Sequence, residues 1–325
     1  MLSDKKILIT GATGQIGRPI AERLAGDNEV WCAARFSDPA LRKEIEDLGI
    51  RTCRWSLESG DFSEMPDNFT HVLHSAFLIA EPVHDTAVRV NAQSTGQLMQ
   101  HCRKAESFVF VSASAVYEPQ EPGHLYAEKD PLGGLASYMP SYPVAKIACE
   151  GVVHAAAHML DLPSTIARMN IGYGMASHGG VPVMYCQQML AGQPIGVPFG
   201  HDNWGSPIHE DDIAEQASGP LFGVASLPVT VLNWAGDDAV SHVQLCDYIG
   251  ELTGATPHYV QSELTFDSFA SDNTHREQLI GSCAVAWGDG VRRTLARHFP
   301  EVVTGESSVG QHAETPGLGQ GAGSG

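Results

Sequence analysis

Two side chains four positions apart, Tyr142 and Lys146, and a glycine run far upstream set the chemistry open to this 325-residue chain. On a helix, spacing i to i+4 puts the phenol and the ammonium on one face. A free tyrosine titrates near pH 10, about three units too high for a base at neutral pH. A nearby lysine, here Lys146, and an oxidised nicotinamide both favour the phenolate and bring it into working range. The upstream run is Thr10-Gly11-Ala12-Thr13-Gly14-Gln15-Ile16-Gly17, directly after the apolar stretch Lys6-Ile7-Leu8-Ile9. Gly11, Gly14 and Gly17 let a turn form and let backbone N–H groups approach a pyrophosphate, while the following helix N-terminus adds positive potential. Thr13, Gln15 and Ile16 are cofactor contacts of the same loop. The pair and the loop together imply hydride transfer with a nicotinamide dinucleotide and Tyr142 as acid/base.

The residue ending the second strand discriminates between the two nicotinamide cofactors, an acid holding a ribose 2′-hydroxyl and an arginine a 2′-phosphate. That strand reads Val30-Trp31-Cys32-Ala33-Ala34-Arg35-Phe36, and Asp38 is accounted for as the cap of a helix that begins at Pro39. Arg35 therefore favours NADP over NAD.

The elements that must position these groups alternate as in a parallel, doubly wound sheet. Strands are expected over 5–10, 28–34, 51–55, 71–76, 107–112 and 163–168. Helices are expected near 15–25, 39–48, 87–105 and 142–160. After about residue 170, Gly- and Pro-rich loops alternate with short helices near 181–191, 211–224, 241–253 and 287–298. The fold class is thus α/β, a Rossmann-type doubly wound parallel sheet with a smaller C-terminal substrate lobe. We divide the chain into a dinucleotide-binding domain over 1–170, with contributions from later segments, and a lobe over 171–302. Residues 303–325 have almost no large apolar groups and are expected to be disordered.

Composition narrows the partners. A net charge of −19 argues against nucleic acid and anionic membrane. No apolar stretch approaches the roughly 20 residues that span a bilayer. The immediate entry into a strand gives no signal peptide, so the cytoplasm is the expected location. The seven cysteines include no Cys-x-x-Cys pair, and the histidines show no metal-binding spacing. His209-Glu210-Asp211-Asp212 reads as acids at a helix start, and no metal is expected.

The chain resembles the extended short-chain dehydrogenase/reductase family of nucleotide-sugar epimerases, dehydratases and carbonyl reductases, over about residues 4–300. His74-Ser75-Ala76-Phe77 is similar to the family's His-Leu-Ala-Ala turn, which places Ser75, Ala76 and Phe77 along the cofactor. Asn91-Ala92-Gln93-Ser94-Thr95 is similar to its Asn-Val-x-Gly-Thr helix, whose asparagine supports the cofactor loops. Phe108 to Tyr117 matches the fifth strand, which adds Ser112. Arg168-Met169-Asn170 through Tyr173-Gly174 resembles the strand ending near the nicotinamide, and Ile208-His209 with Asp212 a late motif before a helix. The resemblance also implies a homodimer through the helices at 87–105 and 142–160, where Ala145, Cys149 and Ala155 to Ala157 permit close packing. Those small residues serve packing against the chain's own sheet equally well.

Three departures from the family pattern bear on function. Its catalytic Ser/Thr falls on Ala113, and Ser114 is the candidate replacement. Its adenine-contacting Asp-Leu pair appears as Ser56-Leu57. Its diphosphate-gripping arginine falls on Gly205, and no lysine or arginine occurs between Arg168 and Arg276. The expected function is therefore an oxidoreductase of a small non-nucleotide alcohol or carbonyl substrate. Trp204, Tyr173, Tyr185, Met175 and Met184 are candidates for its apolar lining. A nucleotide-sugar epimerase or dehydratase is the alternative, and a non-catalytic cofactor sensor or scaffold a third.

Overall fold

The computed structural model describes residues 1–80, 84–134, 136 and 139–303. The segment expected to be disordered lies outside these, apart from Val303. Six strands follow the β-rich runs: β1 (Lys6–Thr10), β2 (Glu29–Ala34), β3 (Arg51–Arg54), β4 (His71–His74), β5 (Ser107–Ala113) and β6 (Ser164–Met169). A seventh, Thr230–Trp234, comes from late in the chain and pairs parallel with β6. The sheet order is Thr230–Trp234, β6, β5, β4, β1, β2, β3. Its direction of growth reverses between β1 and β4, so a crevice opens beyond the carboxyl ends of those strands.

Every residue of β5 and β6 is buried, as in a parallel sheet covered on both faces. Helices α1 (Gly17–Leu24), α2 (Pro39–Asp47), α3 (His84–His101) and α4 (Ser141–Leu160) supply the cover together with later segments. Asp38 caps α2 by accepting from Ala40 N, with Pro39 in its first turn. In the lobe, α5 (Val181–Leu190) and the helices His242–Thr253 and Trp287–His298 pack around a separate apolar core. The single helix expected over 211–224 is broken into α6 (Glu210–Ala217) and a one-turn helix, Pro220–Gly223. Gly219 precedes Pro220, and a residue before proline is pushed out of the helical region. Ala145, Cys149 and Ala157 are fully buried in the core beneath α4, so these small residues serve packing within the chain.

One ionic contact ties α4 to the sheet. Glu150 accepts from Arg168 Nε at 3.1 Å, Arg168 Nη2 at 2.8 Å and Ser112 Oγ at 2.6 Å. Glu150 and Arg168 are 3% and 4% exposed, so neither can exchange its partner for water. Removing one member leaves the other charged and buried, which typically costs about 3–5 kcal/mol. Arg168→Met should therefore lower unfolding free energy by about that much in denaturant titrations. Replacing both residues with apolar ones should cost less than the sum of the single changes.

Candidate active site

Two cavities lie along the crevice and share Gly14, Ser75 and Phe77. The first, about 260 Å3, is bounded by Gly11 and Thr13 on one side and by Arg35, Ser56 and Leu57 on the other. The second, about 580 Å3, is bounded by Phe77, Tyr142 and Lys146 and extends to Trp204 and Phe266 in the lobe.

The glycine loop fits a dinucleotide because only glycine allows its close approaches. Gly11 has φ +70°, and a Cβ there would lie 2.8 Å from Ala76 N. A Cβ on Gly17 would lie 2.7 Å from Gly11 O. The loop therefore closes on the 75–77 turn without side chains, and Gly14 borders both cavities. Ile16 lines the second cavity, whereas the Gln15 amide accepts from Gly179 N at 2.9 Å and clasps a lobe loop.

The 75–77 turn is held from below. Thr10 Oγ1 and His74 Nδ1 share a hydrogen bond of 2.7 Å, and Ser75 Oγ donates to Thr10 O at 2.7 Å. Burial pulls His74 down to about 3, so its ring is neutral. Asn91 accepts from Leu78 N at 2.8 Å and donates to Leu78 O at 2.9 Å. It supports the loop through the backbone, as the resemblance implies. Ala76 and Phe77 border the cavities directly.

Tyr142 lies in the first turn of α4 and Lys146 one turn later, both on the second cavity. Lys146 Nζ donates to Val111 O at 2.7 Å and stands 4.1 Å from the Phe77 ring centre. The Phe77 ring also meets the Tyr142 ring edge to face at 5.2 Å. Burial pulls Lys146 down to about 8 and pushes Tyr142 up to about 12. The ammonium spends itself on a carbonyl and a ring, and burial governs the phenol. The Tyr142 phenol is accordingly neutral at pH 7.

Ser114 begins a short 3-10 turn after β5 and lines the cavity with Ala113 and Tyr142. Its Oγ accepts from Asn170 Nδ2 at 3.2 Å. Ser112 also borders the cavity, but its hydroxyl is committed to Glu150. Asn170 has its side chain tied up as well, donating to Phe269 O at 2.7 Å and accepting from Ser206 N at 2.9 Å. It shapes the wall and does not offer its amide to a ligand.

Of the candidate lining residues, Trp204 borders the cavity. Tyr173 is buried and donates to Trp287 O, Tyr185 is buried behind the wall, Met184 packs against the lobe core, and Met175 is exposed. Sequence reading missed His242, Phe266 and Phe269, which border the cavity. The Ser241-x-x-Gln244 capping signature before His242 was available as a signal of a helix start there. His209 caps α6 through Asp211 N, and Asp212 accepts from Ala284 N and Val285 N, so this cluster is structural. Among the described residues, no group of three or more metal-ligating side chains is assembled. Nor is any of their helices long and apolar enough to cross a membrane.

A parallel seven-stranded sheet with a dinucleotide crevice and a Tyr/Lys pair beyond β5 defines an extended short-chain dehydrogenase/reductase. The chain belongs to the NAD dependent epimerase/dehydratase family of enzymes, whose model matches residues 7–217. It is 25% identical over 272 residues to the chloroplastic SDR39U1 homolog of Arabidopsis thaliana, an epimerase family protein, covering 77% of this chain and 71% of that one. Among solved structures it is similar to UDP-glucuronic acid 4-epimerase from Bacillus cereus in complex with UDP-glucuronic acid and NAD. The TM-score is 0.74 at 20% identity, over 90% of this chain and 98% of that one. It is also similar to UDP-N-acetylglucosamine 4-epimerase from Methanobrevibacter ruminantium M1, with TM-score 0.77 at 18% identity, over 92% and 100%. At such identities the likeness is one of fold.

Two outcomes follow from the Tyr/Lys geometry. Tyr142→Phe should cut turnover by about 10²–10⁴-fold while leaving cofactor affinity in place. Lys146 titrates near 8 when folded against 10.5 ordinarily, so between those values the unfolded chain binds more protons. This group's contribution to stability therefore rises with pH across that window. The stability of the wild type relative to Lys146→Met should increase by about 2 kcal/mol from pH 8 to pH 10 in denaturant titrations.

Proposed function

We propose that the chain interconverts an alcohol and a carbonyl at the second cavity, with Tyr142 as acid/base. A nicotinamide dinucleotide bound along the crevice would give or take the hydride, held by the Gly11–Gly17 loop and the 75–77 turn. Tyr142 passes its proton to the substrate oxygen in reduction and recovers it in oxidation. Lys146 holds the cofactor's ribose end and, with an oxidised nicotinamide nearby, eases the phenol's ionisation. Ser114 steadies the same oxygen, replacing the hydroxyl absent at Ala113.

The observation that carries the substrate class is the charge of the wall. Among the described residues, Lys146 is the only lysine or arginine on the second cavity, and it is already engaged with Val111 O. Arg168 is bound to Glu150, and Arg276 is fully buried and bound to Asp237. A cationic side chain at Gly205 would have to displace Ile171, whose Cδ1 is 2.4 Å from a Cβ built there. Among the described residues a diphosphate meets no uncommitted lysine or arginine there, which favours a small, uncharged, largely apolar substrate.

On similarity alone the nucleotide-sugar reading stands ahead. The family takes its description from epimerases and dehydratases, and the structural relatives are UDP-sugar 4-epimerases. That second reading uses the same Tyr142 chemistry, with oxidation and re-reduction at one sugar carbon. As to cofactor, the Bacillus cereus relative is in complex with NAD, whereas Arg35 is exposed on the wall of the first cavity and favours NADP. We also propose a homodimer through α3 and α4.

Calorimetric titration with NADPH, NADH and UDP separates the readings. Tight NADPH binding without UDP binding is expected, and UDP binding would transfer the assignment to the nucleotide-sugar class. Arg35→Ala should weaken NADPH about tenfold or more while sparing NADH, consistent with loss of one charge-assisted contact. Equal affinity of the wild type for both cofactors would remove the NADP preference.

A further inference from the structure

The second cavity has a polar group at its lobe end that the proton-transfer chemistry does not use. His242 is the first residue of its helix, set there by a capping box in which Ser241 accepts from Gln244 N and Gln244 accepts from Ser241 N. It is 5% exposed and borders the cavity. Its Nδ1 shares a 2.6 Å hydrogen bond with the hydroxyl of Tyr185, which reaches it from α5 and is 4% exposed. Phe266 stacks on the imidazole at 5.5 Å. Helix start, tyrosine and phenylalanine thus fix both the position and the rotation of the ring.

Fixing a histidine this thoroughly on a cavity wall has a chemical consequence. Nδ1 is committed, so Nε2 is the ring nitrogen left for a ligand. Burial pulls His242 down to about 4, so the ring is neutral at pH 7 and offers a hydrogen bond without a charge. Asp267 borders the same cavity and opposes an anion there. Tyr142, Lys146 and Ser114 serve the reacting oxygen, and the Asn170 amide is consumed by the wall.

We infer that His242, held by Tyr185, is a substrate-recognition residue that takes a second, uncharged oxygen group of the substrate, a hydroxyl or a ketone. This rests on the proposed alcohol–carbonyl chemistry. It narrows the substrate to an apolar frame carrying two oxygen functions, one reduced or oxidised beside Tyr142 and one held by His242. A site built to hydrogen-bond a substrate hydroxyl discriminates against the analogue lacking it, because its own polar group is then buried without a partner.

The test uses the full chain, NADPH or NADH, and cyclohexanone with its 2-, 3- and 4-hydroxy derivatives as probes. At least one hydroxy ketone should exceed cyclohexanone in kcat/KM by about tenfold, and this ratio should fall toward one in His242→Gln. Tyr185→Phe keeps the imidazole but frees it to turn, and should reduce the ratio several-fold. No preference, or a preference that persists in both variants, overturns the inference and leaves the alcohol–carbonyl reading intact. If no ketone is reduced, that reading fails, and ring-labelled histidine NMR then decides the inference. A His242 signal, assigned by its loss in His242→Gln, that moves saturably with cyclohexane-1,2-, 1,3- or 1,4-diol but not with cyclohexanol supports it. A signal that moves with neither overturns it.

Discussion

The buried contact between Glu150 and Arg168 is the constraint on which the placement of the site depends. Burying an ion pair seldom adds stability over an apolar pair of the same shape, but it penalises every arrangement in which the partners separate. Here it joins three elements, since Ser112 comes from β5, Arg168 from β6 and Glu150 from α4. Lys146 is one turn before Glu150 and Tyr142 one turn before that. Locking Glu150 to the sheet therefore sets the height at which both face the crevice. Arg168 also donates to Glu128 O at 3.1 Å and stands over the ring of Tyr117, whose hydroxyl donates to Asn233 in the seventh strand. Strand edge, loop and α4 thus share one fixed point.

A second principle runs through the crevice: many of its polar side chains are spent on shape. Thr10, His74, Ser75 and Asn91 hold the 75–77 turn; Gln15 holds the loop at Gly179; Asn170 joins Ser114, Phe269 and Ser206. A dinucleotide needs backbone N–H groups and close van der Waals surfaces more than it needs side-chain charge, and such surfaces must be rigid before the ligand arrives.

The parts legible in the sequence were those with a local cause. Alternating apolar runs gave the first six strands, Asp38-Pro39 gave the start of α2, and the glycine spacing placed the loop. Tyr142 and Lys146 were readable because helical spacing alone puts them on one face. What was missed depends on distant pairing. The seventh strand looks like any short apolar run until β6 is available beside it. Ser112 borders the cavity, but that its hydroxyl is held by Glu150 could not be read from spacing. Tyr185 looked like cavity lining but stands behind His242, a relation that no spacing along the chain reports. The lysine's proximity to the tyrosine was evident from the spacing, but its engagement with Val111 O was not.

The late seventh strand has a consequence for how the molecule comes into being. Residues 7–217 match the family model and carry the glycine loop and the Tyr142/Lys146 pair, and yet they end before Thr230–Trp234. A growing chain of that length would present the flank of β6 as an open row of backbone donors and acceptors, the kind of edge that pairs with strangers. Its neighbour β5 on one side is in place while the other side waits. The glycine loop and the Tyr142/Lys146 pair are thus completed earlier in synthesis than the strand that makes the sheet safe to expose. Any shortening of the protein has to reckon with the second boundary and not the first.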